Sequence, residues 1–78
     1  MPGYIANEIK RGQAYRYLFN TRQGKTEELI KEIGSILFDE FRLVGYIKEG
    51  MSGNWVERWQ LTKFGENQIS TYINIGLI

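Results

Sequence analysis

The chain has no cysteine and no histidine among its 78 residues. Without cysteine there is neither a disulfide staple nor a thiolate metal site. Without histidine the commonest metal ligand and the commonest general base are missing. Proline occurs once, at Pro2. No apolar run reaches the ~20 residues that a bilayer-crossing helix needs. The first residues, MPGYIANEIKRG, lack the basic stretch and apolar segment of a secretory signal. These absences predict a soluble, cytoplasmic protein with no membrane attachment. Charge of one sign is also scarce: the formal net charge is +1, which gives little support to nucleic-acid binding.

Nucleophiles are present but lack activating partners. Ser35, Ser52 and Ser70 have no histidine to act as base, and no other nucleophile-base pair is evident from spacing. Glu27 and Glu28 are neighbours on a helix pattern, so their side chains point in different directions, and helix-start electrostatics accounts for them. Asp39 and Glu40 read as a solvated helix face. The isolated glycines form neither a phosphate loop nor a dinucleotide fingerprint. The expectation is a non-enzymatic protein with no cofactor and no metal.

What the chain does have is aromatic content, at 14% of residues. A chain of this length makes a single domain, residues 1–78, that buries only about 60% of its unfolded surface. Aromatic side chains partly compensate, each burying roughly 150–250 Å². Charge is unevenly distributed. Residues 1–24 carry Lys10, Arg11, Arg16 and Arg22 against Glu8, a net of +3. Residues 25–49 carry four cations against six carboxylates, a net of −2.

Ile5, Ile9, Ala14, Tyr17 and Leu18 keep helical spacing, interrupted by Gly12, so one kinked helix or two short ones would fit. Asn20 to Gly24 reads as a polar break. Thr26 is a suitable N-cap, with Glu27 and Glu28 in the first turn. Leu29, Ile30, Ile33, Ile36, Leu37, Phe41 and Val44 then recur at helical spacing and predict one apolar face. That phase continues across Gly34-Ser35, which favours a single helix of about twenty residues, ended by Gly45 in a left-handed conformation. Tyr46 to Glu49 and Trp55 to Leu61 are strand candidates around the turn-forming Gly50-Met51-Ser52-Gly53-Asn54. Trp59 and Leu61 are expected to face the core, with Trp55 near the hairpin tip beyond its cover. Thr62 can cap a last helix bearing Ile69, Tyr72 and Ile73.

Leu43, Gly45, Tyr46 and Ile47 form an apolar-glycine-apolar exit from a helix into a hairpin. Leu61, Thr62 and Gly65 then form the re-entry into the next helix. In this combination, residues 43–69 resemble the wing and closing helix of winged helix-turn-helix DNA-binding domains. The resemblance implies an α+β fold: a small winged helix-turn-helix domain with N-terminal helices, a β-hairpin wing and a C-terminal helix. The N-terminal part departs from that pattern, since 26–45 is short for two helices and a turn. Either two short helices precede Asn20 and 26–45 is one long helix, or the helices at Thr26 and Ser35 are abbreviated. The continuous apolar phase favours the first.

The resemblance further implies a DNA-binding transcriptional regulator that reads duplex DNA, of the compact kind frequent in phages, archaeal viruses and plasmids. Phosphate contacts need Lys, Arg and small polar donors. On that reading Lys10, Arg11, Arg16 and Arg22 supply them from the N-terminal helices, Arg42 from the helix before the wing, and Lys48, Ser52, Asn54 and Arg58 from the wing. Asp39 and Glu40 work against groove entry. The competing expectation is a protein-interaction module anchored by Trp55 or Tyr46, since interface hot spots favour Trp, Tyr and Arg. Tyr72, Ile73 and Leu77 in the apolar tail are candidates for pairing two subunits, and a homodimer would match palindromic half-sites.

Overall fold

A computed structural model describes residues 2–51, 53 and 55–76, with side chains from residue 8 onward. The elements run α1 (Pro2–Thr21), β1 (Gln23–Lys25), α2 (Thr26–Ile33), α3 (Ser35–Val44), β2 (Ile47–Met51), β3 (Glu57–Leu61) and α4 (Lys63–Asn74). The three strands form one antiparallel sheet in the order β1-β3-β2. This is an α+β fold with the layout of a small winged helix-turn-helix domain: α2 and α3 abut, and β2–β3 is the wing.

The N-terminal helix is continuous; Gly12 is absorbed within α1 and does not divide it. The expected polar break at 20–24 is shorter than anticipated, because Gln23–Lys25 pairs with β3 as Gln23↔Gln60, Gly24↔Trp59 and Lys25↔Arg58. Arg22 makes the corner in a left-handed conformation, φ 70°. Its carbonyl accepts from the Leu61 amide at 2.7 Å, extending the pairing by one residue.

The single long helix over 26–45 is overturned, and with it the placing of two helices before Asn20. Gly34 has φ 89° and ψ 155°, a conformation essentially closed to residues with a β-carbon, and it separates α2 from α3. The abbreviated-helix alternative is the one the chain adopts. Apolar periodicity misled here because it records spacing along the chain and is blind to a one-residue change of direction. After that change Leu37, Phe38 and Phe41 face the core. Ile36 and Val44, in phase with a continuous helix, face solvent instead. Thr26 is likewise not the cap. Lys25 occupies that position, and Thr26 is the first helical residue, buried, its hydroxyl without a partner among the described residues.

The exit and re-entry form one joint. α3 closes in a Schellman arrangement, with the Tyr46 amide bonded to the Phe41 carbonyl at 2.9 Å and Gly45 at φ 88°. Thr62 caps α4 as expected, its hydroxyl accepting from the Gly65 amide at 2.9 Å. The same hydroxyl donates to the Gly45 carbonyl at 2.5 Å, while the Thr62 amide bonds the Tyr46 carbonyl at 2.9 Å.

The core is built from Ala14 and Leu18 of α1, Leu29 and Ile33 of α2, Leu37, Phe38 and Phe41 of α3, Ile47, Trp59 and Ile69. Trp59 is 2% exposed, and Leu61 packs against the cluster while remaining half-buried. Beside it, Tyr15 stacks on Phe41 with ring centroids 5.2 Å apart, and its ring also meets Tyr46 and Tyr72. Among the described residues no helix is long and apolar enough to cross a membrane.

Candidate nucleic-acid interface

Strand alternation sorts the sheet into two faces. Trp59 points inward, and by register Gly24, Ile47 and Leu61 share its face, as do Glu49, Met51 and Glu57, which are exposed. The opposite face carries Gln23 and Lys25 from β1, Arg58 and Gln60 from β3, and Lys48 and Gly50 from β2. Three cations and two amides therefore share one strand face that carries no carboxylate among the described residues. Lys25 lies directly across from Arg58 and Lys48 directly across from Gln60. Like charges directly opposite each other destabilise a sheet. Among the described residues none of Lys25, Lys48 and Arg58 is within ion-pair distance of a carboxylate. The face has unrelieved positive charge and donors suited to an anion.

The other expected cations divide into two groups. Arg11 clasps Glu40 through both guanidinium nitrogens, the second contact at 3.1 Å. The hydrogen bond to Glu40 pushes the Arg11 guanidinium further above its ordinary range. Arg22 pairs with Glu66 at 3.2 Å and lies over the Phe19 ring. Arg42 reaches Asp39 at 3.3 Å and Glu49 at 3.7 Å, tying α3 to the first wing strand. These three arginines serve internal ion pairs. By contrast, Lys10 and Arg16 are exposed on α1, and the Lys10 ammonium lies beside the Gly34 turn. Ser52 and Asn54, expected from the wing, and Leu77, expected from the tail, lie outside the described residues.

The carboxylates that opposed groove entry are the partners of those arginines: Glu40 with Arg11, Asp39 with Arg42. The outward side of α3 is not basic. Its centre is Ile36, 82% exposed, and Leu43, 81% exposed.

Of the protein-interface candidates, Trp55 is 84% exposed beside the wing, with φ 63°. Tyr72 is turned inward, its hydroxyl 3.2 Å from that of Tyr46, and Ile73 packs on the chain's own core. Tyr46 is half-buried in the aromatic cluster, 5.7 Å centroid to centroid from Phe64. Burial, reinforced by the bond to Tyr72, pushes the Tyr46 phenol above its ordinary range.

Gln23, Lys25 and Gln60 were not anticipated from the sequence. Their place depends on β1, a three-residue strand with no hydrophobic alternation of its own. Comparison with protein-family models, with curated proteins and with solved structures finds no match for this chain.

Proposed function

We propose that this chain is a non-enzymatic winged-helix domain that binds duplex DNA as a transcriptional regulator. The observation that carries the reading is the carboxylate-free outer face of the sheet, where Lys25, Lys48 and Arg58 are all without ion-pair partners among the described residues. Polyanion binding relieves the Lys25–Arg58 juxtaposition, and the amides of Gln23 and Gln60 add neutral donors for phosphate oxygens. The α2–α3 pair supports the same reading, because a helix pair of this kind sets its second helix into a major groove. The internal pairing of Asp39 and Glu40 lowers the electrostatic cost of that approach.

The test is binding to random duplex DNA at two salt concentrations. Wild-type affinity should fall steeply with salt, because neutralised phosphates release counterions. Lys48→Glu and Arg58→Glu should each weaken binding and flatten the salt dependence, by roughly 0.9 in logarithmic slope for each phosphate no longer neutralised. Absence of binding at low salt would reject the reading. One observation favours a second reading, a domain that docks on another protein: Trp55, a residue type typical of binding hot spots, is almost wholly uncovered.

A further inference from the structure

A cleft of about 460 Å³ lies between the start of α2 and the residues that lead into β3. Trp55 and Ile30 give it apolar lining, and Thr26, Glu27 and Glu57 give it polar lining. Trp55 is held at φ 63°, a conformation that costs free energy in a residue with a β-carbon and that gathers at functional sites. At 84% exposure its indole is open to a stacking partner. Thr26 is 3% exposed, and its hydroxyl has no hydrogen-bond partner among the described residues. A buried hydroxyl left in that state costs stability until a partner reaches it. Neither Glu27 nor Glu57 is within ion-pair distance of a cation among the described residues. Lys25 lines the same cleft and by register lies on the outer sheet face across from Arg58, so the cleft and the cationic face meet at this residue.

This lining restricts the ligand. Two carboxylates repel a bare anion, and Lys25 repels a simple cation. A flat ring with neutral N–H donors satisfies the carboxylates and the indole together, and a negative group attached to it satisfies Lys25. A nucleotide has both parts. Carboxylates accept from the exocyclic amino group of a base, bases stack on aromatic side chains, and lysine binds phosphate as a point charge. We infer that the cleft takes one unpaired nucleotide with an amino-bearing base. The base stacks on Trp55, its amino group donates to the Glu27 and Glu57 carboxylates, a ring nitrogen accepts from the Thr26 hydroxyl, and the phosphate lies at Lys25. The nucleotide is either free in solution or an unpaired unit of a strand. The site shares Lys25 with the duplex-binding face proposed above and otherwise stands apart from it.

The full chain is titrated with deoxyadenosine, deoxycytidine and thymidine monophosphates, with binding read by tryptophan fluorescence and by equilibrium dialysis. Trp59 is 2% exposed, so a saturable change in emission belongs to Trp55. The adenine and cytosine nucleotides should bind at least roughly fivefold more tightly than the thymine one, which has no amino group. Trp55→Ala should weaken their binding roughly 5- to 150-fold, the worth of one base–aromatic stack, and Trp55→Phe should restore most of it. Circular dichroism checks that both variants keep the fold. A second arm compares a fully paired duplex with one that carries a single unpaired adenosine. Tighter binding of the latter, lost in Trp55→Ala, gives a strand as the source; equal affinity, with mononucleotide binding intact, gives the free nucleotide. No binding of mononucleotides and no preference for the unpaired adenosine would overturn the inference and leave the duplex reading untouched. Quenching by N-acetylarginine amide and by no nucleotide would overturn it too and assign the cleft to a cationic segment of a protein. Loss of all duplex binding with the mononucleotide result intact would remove the duplex reading alone.

Discussion

Gly65 lies against the backbone of Tyr46 so closely that a β-carbon at position 65 would stand 2.8 Å from the Tyr46 α-carbon and 2.9 Å from its carbonyl carbon. The neighbour is main chain held by the Schellman closure and by the Thr62 amide, so it cannot step aside. The glycine in the helix re-entry is therefore a steric requirement: it lets the first turn of α4 rest on the exit from α3.

Replacing Gly65 by alanine should destabilise the domain by about 1–3 kcal/mol, the usual cost of overpacking. Gly50→Ala is the control, because nothing lies within 4 Å of a β-carbon there. It should change stability by less than ~0.5 kcal/mol. Urea titrations of both variants decide the matter, and equal midpoints would remove the steric argument.

Gly34→Ala tests the division of α2 from α3. Keeping φ near 89° with a β-carbon should cost about 1–3 kcal/mol. Escaping the strain by continuing the helix would carry Leu37, Phe38 and Phe41 off the core. Thermal melts should show the loss, and a gain in stability would mean that the turn is not imposed by the glycine.

Tyr46 predicts a response to alkali. Its folded state holds the phenolic proton more tightly than the unfolded chain does, through burial and the bond to Tyr72. The stabilisation is therefore whole below the unfolded value of about 10 and is lost as pH rises through that value toward the higher folded one. Urea midpoints measured from pH 8 to pH 11 should fall less steeply above about pH 10 in Tyr46→Phe than in wild type. Parallel profiles would show that this phenol does not contribute.

The two tryptophans should behave in opposite ways. Trp59→Ala removes a side chain that is 2% exposed, and should cost about 3–5 kcal/mol. Trp55→Ala removes one that is 84% exposed and should stay within about 0.5 kcal/mol. Iodide quenching should reach Trp55 and spare Trp59; similar quenching of both would contradict the inward turn of β3.

By itself the sequence determined the local elements whose signals are chemical: Gly45 as a helix terminator, Thr62 as a cap, Trp59 and Leu61 on one side of a strand, and Trp55 left outside. Each depends on a residue and its immediate neighbours, so it is written in short-range pattern. Only the tertiary structure decided three other matters. It split 26–45 at Gly34, because a single backbone dihedral redirects a helix without disturbing its apolar spacing. It recruited Gln23–Lys25 as a strand, because pairing to β3 across more than thirty residues supplies hydrogen bonds that the segment's own composition does not forecast. And it sorted the cations, drawing Arg11, Arg22 and Arg42 to carboxylates distant in the chain or across a helix turn while gathering Lys25, Lys48 and Arg58 on one open face. Charge acts through space, and the chain fixes those distances only once it has folded.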